Sequence, residues 1–249
     1  MVKNFWQIVN KVIDDADVLL LLLDARLVEE TRNREIEKKV ALSKKPLIYV
    51  VTKCDLVGKD VAEKYKKTLN PCVFVSAKEF HGTTKLRDRI LIEANKAKVP
   101  YKAIRVGVLG YPNVGKSSLI NSMKGKKSAS TSILSGHTKG VQKIKADNRI
   151  LFLDTPGVIP YKENDRVKHA FIGTLDFTKA KDPDLIIIDL MNKFPNIVEH
   201  YYDVEVREDK EETIEEIAKK RNILKKGGEA DVIRMGRMIL CDWQKGNIK

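Results

Sequence analysis

The chain has 249 residues, of which 43% are hydrophobic and 33% charged. That length suits one large or two modest domains, and the composition is too apolar for a disordered chain. The longest apolar run, residues 18–23, is far shorter than the ~18 residues that a membrane-spanning helix needs, and the start resembles no signal peptide. Three scattered cysteines, Cys54, Cys72 and Cys241, lack metal-ligand spacing. Reduced thiols in a cytoplasmic protein without membrane contact are therefore expected, rather than a zinc site.

The charge is unevenly distributed. The formal net charge is +13, and residues 96–149 carry 12 basic side chains against the single acid Asp147. Residues 217–249 are also basic, with nine basic side chains against three acidic ones. Such clustering indicates a polyanionic partner. A lysine-rich composition that serves solubility or thermal stability remains the alternative, although that enrichment usually raises Glu together with Lys.

Strands and helices are predicted to alternate through the first two thirds of the chain. An amphipathic helix over 5–13 precedes a buried strand at 18–25, because the apolar run there is too continuous for a half-exposed strand. The pattern then gives further strands at 47–52, 72–76, 104–110, 140–146 and 149–154, and helices at 29–45, 59–68, 84–97 and 116–124. This alternation predicts a mostly parallel sheet with helices on both faces, whose ligands bind at the carboxyl ends of the strands.

The pattern changes after about residue 178. Asp182 and Pro183 resemble a helix start, so 183–194 is predicted as a helix, although its β-branched residues also suit a strand. Residues 205–226 have helical periodicity and are expected to stop at Gly227 and Gly228, before a last amphipathic helix at 229–243. We therefore predict an α/β domain at 1–178 and a small helical domain at 179–249.

The strongest motif is 110-GYPNVGKS-117, a complete phosphate loop between a predicted strand and a predicted helix. Its glycines let successive backbone amides point at phosphate oxygens, and the following helix N-terminus adds a positive dipole end. Lys116 would reach the β- and γ-phosphates, and the Ser117 hydroxyl would bind Mg²⁺. The nucleotide-binding residues assigned to this loop are Asn113, Val114, Gly115, Lys116, Ser117 and Ser118.

A second motif, 154-DTPG-157, closes the strand at 149–154, about 40 residues after the phosphate loop. Asp154 would help hold Mg²⁺, and the backbone N–H of Gly157 would approach the γ-phosphate. Thr138, in 135-SGHTKG-140, is the candidate switch threonine for Mg²⁺ and γ-phosphate. Thr131 is the alternative, but Thr138 directly precedes the strand expected to pair with 149–153.

Two further motifs, 52-TKCD-55 and 76-SAK-78, follow strands and suit recognition of a base. Asp55 can accept two hydrogen bonds from a guanine ring N–H and exocyclic amine, which adenine does not offer. Lys53 would lie along the nucleotide, and the backbone N–H of Ala77 would donate to the guanine oxygen. Thr52 replaces the usual asparagine, which removes an amide and predicts lower affinity. The assigned residues are Thr52, Lys53, Asp55, Ser76, Ala77 and Lys78.

The order of these four motifs is unusual. In ordinary GTPases the phosphate loop comes first and the guanine motifs last, whereas here the guanine motifs precede the phosphate loop. The chain resembles the circularly permuted GTPases of the YlqF/YawG type, over nearly its whole length. The segment 24-DARLVEETRN-33 and the ending 227-GGEADVIRMGRMILCDWQKGNIK-249 are similar to segments of that family. A permuted order is tolerable because each motif lies on its own strand-to-helix loop.

This resemblance implies a three-layer, circularly permuted P-loop GTPase domain with a small C-terminal α-helical domain. It further implies slow, Mg²⁺-dependent hydrolysis of GTP by Lys116, Thr138 and Gly157, coupled to assembly of a ribosomal subunit, more often the large one. The C-terminal domain would contact rRNA, and a monomer is expected. Lysines beside the switch would also be available to rRNA phosphates: Lys124, Lys126, Lys127, Lys143 and Lys145.

The chain departs from related GTPases where the attacking water would be oriented. Val158 stands where many GTPases have a glutamine, and no histidine precedes His81, so the water-positioning residue is unassigned. His137 and His169 are interpreted as ordinary polar residues. Asn113 matches the asparagine that potassium-dependent relatives use, so K⁺ is a candidate second cation, against the alternative that an asparagine merely suits a tight turn.

Other function classes stay open at this level. A nucleotide-gated RNA-binding scaffold with negligible turnover is the main alternative, because both the glutamine and the histidine are missing. A phosphate-loop ATPase or kinase is disfavoured by Asp55 and the serine-alanine-lysine turn.

Overall fold

The computed structural model describes residues 2–100, 103–124, 142–155 and 165–249. The chain forms two compact units, Met1–Glu163 and Asn164–Lys249. The first is the nucleotide-binding α/β unit suggested by the motifs, and the second is helical. The second begins before the residue 178 at which the sequence pattern changes, because side chains near the C-terminus hold residues 170–175: the Trp243 Nε1–H donates to Phe171 O at 3.0 Å, and Gln244 Nε2 donates to Ala170 O and Leu175 O.

The first unit is built on a sheet whose six described strands are mostly parallel, as predicted. In chain order they are β1 (Val18–Asp24), β2 (Leu47–Thr52), β3 (Cys72–Val75), β4 (Ile104–Leu109), β5 (Gln142–Lys145) and β6 (Ile150–Asp154). Their order in the sheet is β3-β2-β1-β4-β6-β5. Only β5, at one edge, pairs antiparallel, with β6. Every residue of β1 is buried, which explains why its apolar run shows no alternation.

Helices cover the sheet and form the outer layers. They are α1 (Val2–Asp15), α2 (Val28–Thr31), α3 (Arg34–Ser43), α4 (Lys59–Thr68), α5 (Thr83–Lys96) and α6 (Lys116–Met123). The stretch predicted as one helix over 29–45 is divided, because Asn33 caps α3: its Oδ1 accepts hydrogen bonds from the backbone N–H groups of Glu35 and Ile36, both at 3.0 Å. The unit therefore has the three layers of a P-loop GTPase fold.

The second unit consists of helices packed around its C-terminal helix. They are α7 (Arg166–Phe171), α8 (Pro183–Lys193), α9 (Ile197–Tyr202), α10 (Lys210–Lys220) and α11 (Val232–Lys245). The helix predicted at 183–194 is confirmed: Pro183 occupies its first turn, and packing against α11 outweighs its strand propensity. A Cβ on Gly236 of α11 would lie 2.9 Å from the Pro183 carbonyl carbon, so glycine permits this close approach.

Two details of the second unit differ from the sequence prediction. Helix α10 ends at Lys220 rather than near residue 226. Gly227 and Gly228, both with positive φ, instead turn the chain between Leu224 and Ala230, which form a β-bridge. The short helix α9 was not predicted from the sequence. Among the described residues, no helix combines the length and apolar character needed to cross a bilayer.

Candidate nucleotide-binding site

The sequence motifs converge at the carboxyl ends of the parallel strands. Thr52, at the end of β2, is in register with Asp24 of β1 and with Val75 of β3, directly before Ser76. Asp154, at the end of β6, is in register with Val108 of β4, two residues before the phosphate loop. Strand register therefore brings four stretches that are distant in sequence to one edge of the sheet, where ligands of such folds bind.

The phosphate loop has the backbone conformation that its glycines permit. Gly110 and Gly115 have φ values of 146° and 98°, which side-chain-bearing residues rarely adopt. A Cβ on Gly110 would also lie 2.9 Å from the carbonyl oxygen of Leu22, so the loop approaches β1 closely. Asn113 is left-handed at φ 61°, a conformation that asparagine tolerates. This backbone conformation agrees with an asparagine that suits a tight turn, and it leaves the potassium prediction untested.

Lys116 points back into this loop and is only 6% exposed. Its Nζ donates to the carbonyl oxygens of Gly110 at 2.9 Å and Tyr111 at 2.5 Å. Burial lowers the pKa of Lys116 to about 8, against the opposing attraction of Asp154. Among the described residues, the ammonium thus donates to neutral carbonyl groups and forms no ion pair, which suits a site for an anion.

Asp154 is 4% exposed, and its Oδ1 has no hydrogen-bond partner among the described residues. Burial raises the pKa of Asp154, while the positive charge of Lys116 opposes that shift. Ser117, in the first turn of α6, is exposed. A carboxylate oxygen without a partner and an exposed hydroxyl are hard ligands of the kind that Mg²⁺ prefers. No cluster of three or more His, Cys, Asp or Glu is found in the described ranges.

The two guanine motifs form short turns after their strands. Asp55 is half-buried in a 3-10 turn over Cys54–Leu56, and Lys53 precedes it with φ 56°. Ser76 is buried and pairs with His81 through backbone hydrogen bonds in both directions, which closes the loop that carries Ala77 and Lys78. The Ser76 Oγ also accepts from the Glu79 N–H at 3.1 Å. The base-recognition residues therefore lie on two braced loops.

Thr52 has a role that sequence reasoning missed. Its Oγ1 lies 2.9 Å from the carbonyl oxygen of Leu23 and 2.6 Å from that of Val114. One hydroxyl proton is shared between these two acceptors, so the side chain joins the end of β2 to both β1 and the phosphate loop. Leu23 and Val114 lie 29 and 62 residues away in the chain, and no local pattern indicates such contacts.

Asp24, the first residue of the D-A-R segment, was also not assigned to the site from sequence. It is 2% exposed and accepts hydrogen bonds from Arg26 and from Lys53. These cations hold the pKa of Asp24 well below its usual range, despite burial, which acts in the opposite direction. The Arg26 side chain is 4% exposed, so its ion pair with Asp24 is buried.

Several predicted residues lie outside the described residues: Thr131, His137, Thr138, Gly157, Val158, Lys126 and Lys127. Within the second unit, the His169 ring forms a hydrogen bond with Thr174 Oγ1 at 2.8 Å. Lys143 and Lys145 are exposed on the edge strand β5, and Lys124 is half-buried after α6.

Comparison with known proteins agrees with this geometry. A family described as "50S ribosome-binding GTPase" matches residues 105–226. An uncharacterised GTP-binding protein of Methanocaldococcus jannaschii is 43% identical over 247 residues, covering 97% of this chain and 65% of the relative. Nucleolar GTP-binding protein 2 of Saccharomyces cerevisiae is 33% identical, covering 99% of this chain and 52% of the relative. The chain thus spans between half and two thirds of these relatives.

The fold has a counterpart among solved structures. GNP-bound YlqF of T. maritima superposes with a TM-score of 0.65 at 24% identity, and the match covers 98% of this chain and 94% of YlqF. In our structure the strands that carry the guanine motifs precede the strand that leads into the phosphate loop, although all of them end at the same edge of the sheet. The permuted order, the family match and these relatives all agree with the resemblance to the circularly permuted GTPases of the YlqF/YawG type.

Proposed function

We propose that the protein binds GTP and hydrolyses it slowly to GDP and phosphate, as a nucleotide switch in assembly of the large ribosomal subunit. The observation that carries this proposal is the pair Lys116 and Asp154. Both side chains are buried. Among the described residues, the Lys116 ammonium donates only to neutral carbonyl groups, and Asp154 Oδ1 has no hydrogen-bond partner. Burying opposite charges without pairing them directly is costly unless a ligand completes the arrangement.

Each residue has a chemical part in this proposal. Lys116 neutralises charge on the β- and γ-phosphates, and the N-terminus of α6 contributes backbone N–H donors. Ser117 and Asp154 would hold Mg²⁺, with Thr138 and the Gly157 N–H completing the γ-phosphate side. Bound Mg²⁺ supplies a positive charge that offsets the developing negative charge on the phosphate oxygens. Asn113 remains a proposed K⁺ ligand, and identical turnover in K⁺ and Na⁺ would rule that role out.

We propose that Asp55 provides the selectivity for guanine. A change in the nucleotide preference of an Asp55 variant tests the function most directly. Its carboxylate accepts from the guanine ring N–H and amine, whereas xanthine presents a carbonyl oxygen in place of that amine. Asp55→Asn should therefore weaken GDP binding and strengthen binding of xanthosine diphosphate. In competition against a fluorescent GDP analogue, excess ATP should leave the wild-type signal unchanged. Displacement by ATP equal to that by GTP would contradict the proposal.

The ribosomal role is proposed from the family description and from the names of the nucleolar relatives. The exposed Lys143 and Lys145 support it, because residues two apart on a strand share one face and here lie on an outer strand. Together with the basic C-terminal segment, they offer phosphate contacts to rRNA in the cytoplasm. Reversing both charges, Lys143→Glu with Lys145→Glu, should weaken rRNA binding and reduce its salt dependence, while GDP affinity is retained.

A nucleotide-gated scaffold is the second candidate, favoured by Val158 in place of a water-orienting glutamine. Multiple-turnover hydrolysis, measured with and without ribosomal subunits, separates the two. Turnover that subunits stimulate supports the switch. Nucleotide-dependent RNA binding with no turnover in either condition supports the scaffold.

A further inference from the structure

The buried carboxylate of Asp24 collects four donors at the end of β1. The backbone N–H and Nε of Arg26 donate to Oδ1 at 3.0 and 3.2 Å, and Nη2 donates to Oδ2 at 3.1 Å. Lys53 Nζ donates to the same Oδ2 at 2.7 Å. Arg26 thus fixes the carboxylate in two directions, and one oxygen is shared with the lysine of the guanine motif.

The Lys53 backbone adopts a conformation that needs support. Its φ of 56° and ψ of 35° are left-handed, which is uncommon for a residue with a Cβ. Such conformations persist where surrounding contacts over-determine them. Here the Lys53 carbonyl accepts from the Leu56 N–H at 3.0 Å, and the ammonium is held by Asp24. Both ends of this residue are therefore fixed, while the side chain keeps 25% exposure.

The turn that carries Asp24 is itself braced. The Asp24 N–H donates to Thr31 Oγ1 at 3.0 Å, and that hydroxyl donates to the Leu27 carbonyl at 2.6 Å. The Ala25 N–H donates to the carbonyl of Thr52, the neighbour of Lys53, at 3.0 Å. The D-A-R segment and the guanine motif are thus joined through both side chains and backbone.

We propose that Asp24, oriented by Arg26, is a positioning residue for guanine-nucleotide binding: it holds Lys53 in the extended geometry in which the lysine stem packs along the nucleotide. This inference rests on the proposed function. A free lysine side chain loses much rotamer freedom when it becomes ordered on a ligand. Because Asp24 orders Lys53 beforehand, that loss has already occurred when the nucleotide arrives. The inference also assigns a task to a segment known so far only by resemblance.

A double-mutant cycle on GDP affinity tests the proposal. Asp24→Asn keeps the shape but loses the charge, and it should raise the Kd for a fluorescent GDP analogue about tenfold when Lys53 is present. In the Lys53→Met background the same change should alter Kd less than about twofold, because the positioned group is already gone. An equal rise in both backgrounds, or no rise in either, would overturn the proposal.

The chain offers a matched control at the opposite end of the same strand. Asp17, just before β1, accepts from the backbone N–H, Nε and Nη2 of Arg105 at 2.8, 3.2 and 2.7 Å, the same three donor types that Arg26 presents to Asp24. Asp17→Asn therefore breaks an ion pair with the same donor types, although a more exposed one, away from the strand ends that carry the motifs. Its Kd for GDP should equal that of the wild type, and a tenfold rise would show that Asp24→Asn acts through the strand in general.

A milder variant covers the case in which Asp24→Asn does not fold. Arg26→Lys keeps a positive charge but loses the two-armed contact, and it should raise Kd about threefold, again only when Lys53 is present. Unchanged affinity in a folded Arg26→Lys protein would contradict the role given to Arg26. If the wild type and Asp17→Asn bind no guanine nucleotide, the proposed function itself fails. If they bind and the Asp24 and Arg26 variants bind equally well, only the positioning inference fails.

Discussion

The predicted guanine side and the predicted phosphate side of the site differ in how their buried charged side chains are paired. On the guanine side, Asp24 is paired with two cations at hydrogen-bond distance, and its pKa is depressed. On the phosphate side, Lys116 donates only to carbonyls, and Asp154 Oδ1 lacks a partner among the described residues. Burial shifts both of their pKa values toward the neutral forms. The protein's own ion pairs thus organise the predicted base-recognition side, whereas the predicted phosphate side has buried charges that we propose are completed by a nucleotide.

The largest expected effect is a difference in the free energy of unfolding between the variants Asp24→Asn and Asp154→Asn. Asp24→Asn should lower the free energy of unfolding by about 3 kcal/mol, because it removes the charge of a buried carboxylate that pairs with both Arg26 and Lys53. Asp154→Asn should change it by less than about 1 kcal/mol or raise it, because a buried, incompletely paired charge is removed. Urea unfolding without nucleotide measures both. Equal losses would break the contrast between the two sides.

Lys116→Met extends the comparison to the ligand. Without the ammonium, affinity for GDP should fall about 100-fold, or roughly 2.7 kcal/mol, because a charge-assisted contact to phosphate is lost. The nucleotide-free protein should keep or gain thermal stability, since a buried ammonium is replaced by an apolar chain of similar length. Calorimetry and a thermal melt check the two halves of this prediction. A variant that lost stability and affinity together would argue for a structural lysine.

The link between the two sides is tested at Thr52. Thr52→Ala removes the hydroxyl that reaches Val114 O and Leu23 O, and should cost about 1–2 kcal/mol of stability. GDP affinity should fall several-fold, because the phosphate loop loses a support from β2. Thr52→Ser retains the hydroxyl and serves as the control in the same unfolding and binding assays. Equal GDP affinity of the alanine and serine variants would show that the Thr52 hydroxyl does not support the phosphate loop.

Lys116 should also give the Kd for GDP and the stability of the free protein a dependence on pH. Above the pKa of Lys116, about 8, the free protein has lost the proton that phosphate binding requires, so the Kd for GDP should rise by up to about tenfold per pH unit. Below that pKa, Lys116 adds no pH dependence. Between pH 8 and the usual lysine value near 10.5, the unfolded chain binds more protons than the folded one, so Lys116 contributes increasing stability as pH rises. Lys116→Met should lack both trends.

Much of this architecture follows from local sequence pattern. Continuous apolar runs at β1 and β2 predict buried parallel strands, and the glycine spacing around Lys116 predicts the phosphate loop between β4 and α6. The order of the motifs also predicts the permutation. These features depend on residues close together in the chain, where spacing and geometry are directly related.

The remaining features depend on neighbours that only the sheet creates. The Asp24–Lys53 pair joins residues 29 apart, and the contact from Thr52 to Val114 spans 62. The sequence alone therefore indicates only that Thr52 lacks the amide of the usual asparagine, although its hydroxyl connects three segments. Long-range hydrogen bonding decides the structure in these two cases, where local pattern gives no signal. The early end of α10 instead has a local origin, because the Leu224–Ala230 bridge uses the two glycines for a turn.

The strand order also has a consequence for synthesis of the chain. Strands β1, β2 and β3 are consecutive in sequence and lie together on one side of the sheet, whereas β4, β6 and β5 make up the other. Because translation runs from the N-terminus, strands β1, β2 and β3 are synthesised before Gly110. A GTPase in the usual order makes its phosphate loop first. Here the segments that carry the predicted guanine motifs are made first, so the two sides of the site are synthesised in the reverse order.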